Sequence, residues 1–135
     1  MKVIKILSLL MIVTFACVGA KKISAEAVAL TPQQLLKSKK WNIRGKSLDL
    51  YFEYTNNEEI LHINGQMAEK SKYYISNTNC FEKSFDASKV GQTNNGKFLV
   101  TPDACYYITV VSNTVIQISY LSHENPMTTT LIAKE

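Results

Sequence analysis

Any acyl-transfer or proton-transfer chemistry built on histidine in this chain has to use His62 or His123, because these are the only two histidines. His62 lies inside an apolar run between Leu61 and Ile63, and His123 lies in the polar stretch before Pro126. Neither sits in a catalytic motif, and the Gly-x-Ser-x-Gly nucleophile elbow is absent, so no catalytic residues are assigned. The neighbouring Glu58 and Glu59 are a poor acid/base pair, since adjacent residues of a strand point to opposite faces; they are read as solvated turn residues. No histidine, cysteine or carboxylate pair has zinc-ligand spacing, so neither a metal site nor a cofactor is expected. The expectation is a protein that is not an enzyme.

The aromatic residues offer binding chemistry instead. Trp41, Tyr54, Tyr73, Tyr106 and Tyr120 combine an apolar ring with a polar tip, which suits ligand contact at a barrel mouth, and they are the candidate ligand-binding set. The competing reading places most of them in the core.

The best-specified structural element is Cys105 to Leu121, read as a β-hairpin. With Ser112, Asn113 and Thr114 as a three-residue loop and Asn113 in the left-handed region, Tyr106 faces Tyr120, Ile108 faces Ile118 and Val110 faces Ile116 on one apolar face. The other face pairs Tyr107 with Ser119, Thr109 with Gln117 and Val111 with Val115. A one-residue slip would mix the two sets, so the register is well determined.

Thr31-Pro32-Gln33-Gln34 is a helix start, with Thr31 as N-cap, Pro32 in the first turn and Gln34 reaching back as a capping box. About two turns should follow, ending near Ser38 to Lys40. Trp41 opens the β region, Leu48 to Tyr54 alternate as a half-buried strand, Ile60 to Ile63 form a strand broken at Asn64-Gly65, and Lys72 to Ser76 form another. Residues 77–95 are polar and turn-rich and read as a long irregular connection. Phe98 to Val100 and Met127 to Ala133 complete the strands. The fold class is therefore all-β: an antiparallel meander of about eight short strands, closing into a small barrel that removes its edges, with one short N-terminal helix.

The start of the chain, with Lys2 and Lys5 before an apolar run from Ile6 to Val18, has the organisation of a secretory signal peptide. It is shorter than the roughly 20 apolar residues of a spanning helix and runs into Lys21 and Lys22. Cleavage after Ala20 is expected, with Ala25 and Ala27 as a second option. Cys17 has two readings, a discarded apolar residue or a lipid-attachment residue. The domain plan is a signal peptide at 1–20, a flexible lead at 21–30 and a single domain at 31–135. Without Lys2 and Lys5 the net charge of +4 falls to about +2, too little for nucleic-acid steering. Secretion or a periplasmic location puts Cys80 and Cys105 in an oxidising compartment, where they are expected to pair. A monomer without a transmembrane segment is expected.

An apolar signal, a short helix, Trp41 at the first strand and a strand meander together resemble the small lipocalin-like proteins exported by Bacteroidetes-type bacteria. The resemblance spans residues 31–135, and it implies a cup for a small apolar or amphipathic ligand with Trp41 closing the barrel floor. The alternative is a secreted protein-binding module or inhibitor that presents residues 77–95 to a protein partner.

Overall fold

The computed structural model describes residues 29–46 and 48–135. The expected signal peptide, Cys17 and all but the end of the lead lie outside the described residues. Helix α1 (Pro32–Ser38) is followed by nine strands: β1 (Lys40–Ile43), β2 (Leu50–Tyr54), β3 (Glu58–Ile63), β4 (Gln66–Lys72), β5 (Tyr74–Ser76), β6 (Phe98–Val100), β7 (Cys105–Ser112), β8 (Val115–Tyr120) and β9 (Thr128–Ala133). They form one antiparallel sheet in the order β4-β3-β2-β1-β9-β8-β7-β6-β5. The two strands at its ends, β4 and β5, are consecutive in the chain and joined through Tyr73 alone, so the sheet curls into a nearly closed barrel. Tyr73 is fully buried at that joint, and its hydroxyl donates to the Thr55 carbonyl at 2.6 Å.

Period-two alternation sorts the side chains into inside and outside. Trp41, Tyr54, Ile75, Leu99, Ile108, Ile116, Ile118 and Leu131 point inward and form the main core. Helix α1 stoppers one end of this barrel. Thr31 and Gln34 make the expected capping box, Leu35 and Leu36 are buried in the main core, and the Trp41 Nε1–H donates to the Leu36 carbonyl at 2.9 Å. The helix is fastened to the β2–β3 turn by Lys37 on Asn56, and to the segment before β6 by Gln33, whose amide bonds both Gln92 O and Asn94 N at 2.9 Å.

The hairpin has the expected register from Tyr106↔Tyr120 to Val110↔Ile116, but its tip differs. Val111 is bulged, Ser112 pairs with Val115, and Asn113 is not in the left-handed region; the connection is the two residues Asn113 and Thr114. The expected Val111↔Val115 pair is therefore not formed, because a bulge absorbs the extra residue and permits a tighter turn.

A second correction concerns residues 66–71, to which no strand is assigned above, and the expected strand Lys72 to Ser76, which is divided at Tyr73 so that Lys72 ends β4 and Tyr74–Ser76 form β5. Asn64 and Gly65 both have positive φ, the geometry of a two-residue hairpin turn, and they lead directly into β4. Charged and polar residues hide this strand from a hydrophobicity reading, because one of its edges is unpaired and most of it is exposed. The same hairpin places Glu58 and Glu59 within β3, both half-buried, not in a solvated turn.

Residues 77–95 are irregular apart from a single 3-10 turn at Ala87–Lys89, and they fold back over the outer face of β5 to β7. Tyr74, Cys80, Val100 and Cys105 form a second buried cluster there with Phe81, Phe85 and Val90 against it, and the Cys80–Cys105 disulfide pins it. Gly96 ends this segment so close to β5 that a Cβ would lie 1.9 Å from Ser76 O. Gly96→Ala should push two backbones apart and cost about 1–3 kcal/mol in a urea titration; an unchanged midpoint would contradict this approach.

Candidate functional site

The barrel interior is filled at the helix end, and its remaining space lies where the β6–β7 turn meets the unpaired edge of β4. A hollow of about 220 Å³ opens there, lined by Phe52, Leu61, Tyr106 and three carboxylate residues, Glu59, Glu69 and Asp103. The positions follow from register. Phe52 pairs with Leu61 and Tyr54 with Glu59 across β2–β3, while Leu61 pairs with Glu69 across β3–β4, so all five stand on the inner face. Asp103 comes from the β6–β7 turn, which Thr101 closes by accepting a hydrogen bond from the Ala104 N–H at 3.1 Å.

A second hollow, of about 320 Å³, is lined by Tyr106, Ile118, Tyr120, Met127 and Thr129. Tyr106 borders both hollows, so a carboxylate-bearing recess and a mainly apolar recess share one residue as a wall. Met127 is 71% exposed and Tyr120 38% exposed, which leaves the apolar recess open to solvent.

The electrostatics of the first hollow are unbalanced. Lys70 borders it, but the Lys70 ammonium is held 3.1 Å from Glu58, in an ion pair of its own. Among the described residues no basic side chain forms an ion pair with Glu59, Glu69 or Asp103. Burial raises the Glu59 carboxyl above the usual carboxylate range; the nearby Tyr54 hydroxyl opposes the shift and the charge of Glu69 adds to it. Burial and the Glu59 charge also push Tyr73 up to about 12, and they raise Tyr106 and Tyr54. The Tyr54 hydroxyl is buried beside Glu59, whose charge and carboxylate oxygens raise it further.

A folded-state carboxyl raised in this way contributes stability that is complete below its unfolded value, near 4.5, and is lost as pH rises through its folded value. Glu59→Gln removes that dependence. The variant should gain on the native protein from about pH 4.5 upward until Glu59 is ionised in the folded protein, and then keep a constant lead, in urea midpoints measured between pH 4 and pH 8; parallel curves would contradict the burial of this charge.

The aromatic residues expected to bind ligand separate into two groups. Tyr106 and Tyr120 stand at the hollows. Trp41, Tyr54 and Tyr73 belong to the packed core, where Tyr54 and Tyr73 meet edge to face with centroids 5.5 Å apart. Phe52, Glu59, Leu61, Glu69, Asp103 and Met127 were not read from the sequence as site residues. The Asn64-Gly65 hairpin signal could have placed Glu59 and Leu61 on one face of β3, but on the turn alone Glu69 would fall opposite Ile60 on the other face, and only the bulge between the Leu61 and His62 pairs brings it opposite Leu61; nothing local to Asp103 or Met127 points to the hollows.

The histidines lie elsewhere. His62 faces outward, stacked on Tyr51 with centroids 4.5 Å apart and with Nε2 3.2 Å from Glu53. His123 is exposed and lies 2.6 Å from Glu82. Among the described residues no three of His, Cys, Asp and Glu are grouped to hold a metal ion, and no helix is long and apolar enough to cross a membrane. Comparison with known proteins gives no matching family model and no matching curated protein.

Proposed function

We propose that this chain is an exported, non-enzymatic binding domain of the small lipocalin-like kind, which takes a small amphipathic ligand at the open end of its barrel. The observation that carries the reading is the pair of hollows meeting at Tyr106, one bearing carboxylates and one mainly apolar. A ligand with a polar end and an apolar end matches this division, whereas a wholly apolar one would leave carboxylates desolvated without partners. The hollows are small, so the ligand is a molecule of a few heavy atoms to about a dozen, not a long lipid. Export is supported by the Cys80–Cys105 disulfide, which is compatible with an extracellular or periplasmic protein.

Titration of the isotope-labelled mature chain with 1-hexanol, hexanoate and hexylamine tests the reading. The expected result is a saturable amide shift at Tyr106, Ile118 and Tyr120 with at least one of them. No saturable shift with any of the three would remove the cup. N-terminal sequencing of the exported protein is expected to begin at Lys21.

A second reading, protein binding through residues 77–95, is favoured by the order of that segment. The disulfide, the second buried cluster and the His123–Glu82 pair hold it as a fixed shelf with Lys83, Ser84 and Ala87 exposed. A fixed loop on a rigid scaffold loses little entropy on docking. Grafting a Gly-Ser linker in place of 81–92 would abolish partner capture on this reading and leave the amphipath shifts intact.

A further inference from the structure

We propose that the edge of β7 beyond Ile108 is a pairing site for the same edge of a second copy of this chain. Strand β7 runs from Cys105 to Ser112, but β6 pairs only with Cys105, Tyr106 and Tyr107, and Lys97 extends that cover by one bond, its carbonyl accepting from the Ile108 N–H at 2.7 Å. Among the described residues no strand pairs with this side of residues 109–112. In an antiparallel ladder both backbone polar groups of a residue point to the same side, and the side alternates along the strand. Val110 therefore turns its N–H and C=O to the free edge, as Ile108 does two residues earlier. All of residues 109–112 are exposed, Val110 at 41% and Val111 at 58%.

The two strands that end the sheet are guarded, and this edge is not. Strand β4 carries Glu69, Lys70 and Lys72, and a two-fold antiparallel pairing centred on Glu69 or on Lys70 would set that charge against itself. Strand β5 is buried along its whole length, at Tyr74, Ile75 and Ser76. The free part of β7, Thr109-Val110-Val111-Ser112, has no charge and no proline and is β-branched at Thr109, Val110 and Val111, the composition that favours strand pairing. The bulge at Val111 shortens the stretch that can pair, but Thr109 and Val110 stay in ladder register with Gln117 and Ile116 of β8.

Self-complementarity names the occupant. A two-fold axis through Val110 sets the two Val110 residues opposite each other, exchanging both N–H···O=C bonds, and brings Thr109 of each copy beside Val111 of the other. That arrangement opposes no charges, and it takes the exposed valines of both copies out of water. So short a contact falls below the roughly 1,200 Å² of stable interfaces, so the pair should form at about millimolar concentration and dissociate at about micromolar, where the chain is the monomer expected from its sequence.

The experiment is a concentration series of the isotope-labelled, disulfide-bonded mature chain, followed by amide spectra and translational diffusion and repeated on Thr109→Lys and Val111→Lys. Amide shifts should grow with concentration at Thr109, Val110 and Val111 while diffusion slows, and a mixture of differently labelled copies should show contacts between Thr109 and Val111 of separate chains. Both substitutions fall at exposed positions and bring two like charges near the axis, so each should weaken association at least about tenfold. Amide dispersion checks that each variant folds, and the contacts between unsubstituted copies decide the matter without them. Diffusion independent of concentration, shifts centred on Gln117 and Thr130 of the outer face, or association untouched by both lysines would overturn edge pairing.

Discussion

Trp41→Ala is expected to destabilise the protein by about 3–5 kcal/mol from lost burial and the cavity left behind. The indole is fully buried and packed with Leu35 and Leu36 of α1, so its removal opens a void at the junction of helix and barrel. Its N–H is also the partner of the Leu36 carbonyl, and leaving that group unpaired in the interior adds about 1–3 kcal/mol. Small domains have only about 5–15 kcal/mol in total, so the variant should be near the unfolding threshold at 37 °C. Urea titration followed by far-ultraviolet circular dichroism measures the loss. Trp41→Phe keeps most of the volume and isolates the hydrogen bond, and it should cost clearly less. A loss below about 1 kcal/mol for Trp41→Ala would show that the helix does not stopper the barrel through this residue.

Replacing both Cys80 and Cys105 with serine should cost about 3.5 kcal/mol, the chain-entropy value for a cross-link between residues separated by 25 positions. The loss should be uneven across the fold. Both cysteines belong to the second cluster on the outer face of β5 to β7, and neither belongs to the main core. Hydrogen exchange of the double variant should therefore accelerate most in residues 77–95 and in β5, while the amides of β1, β2, β8 and β9 keep the protection that the remaining global stability allows. Equal acceleration everywhere would mean that the shelf and the barrel unfold as one unit.

Alternation made the hairpin legible. Tyr106, Ile108, Ile116 and Ile118 share a face for purely local reasons, and the observed pairing follows them up to Val110. The helix start at Thr31 was equally local, since its capping box needs only four residues. The disulfide followed from having two cysteines in a chain expected to be exported.

The hollows could not be read in the same way. Glu59 and Glu69 are ordinary exposed-looking residues in sequence, and strand β4 lacks the apolar alternation that announces a strand because one edge is open and its inner positions carry polar side chains. Whether Trp41, Tyr54 and Tyr73 fill a core or line a cup depends on how far the sheet curls, and that is decided by the chain turning from β4 into β5 at Tyr73. Residue types and short spacings thus determined the strands other than β4, where the helix begins and which cysteines pair. Curvature and closure, which bring β2, β3, β4 and the β6–β7 turn around one recess, depend on contacts far apart in the chain, and these alone set Glu59, Glu69 and Asp103 beside Tyr106.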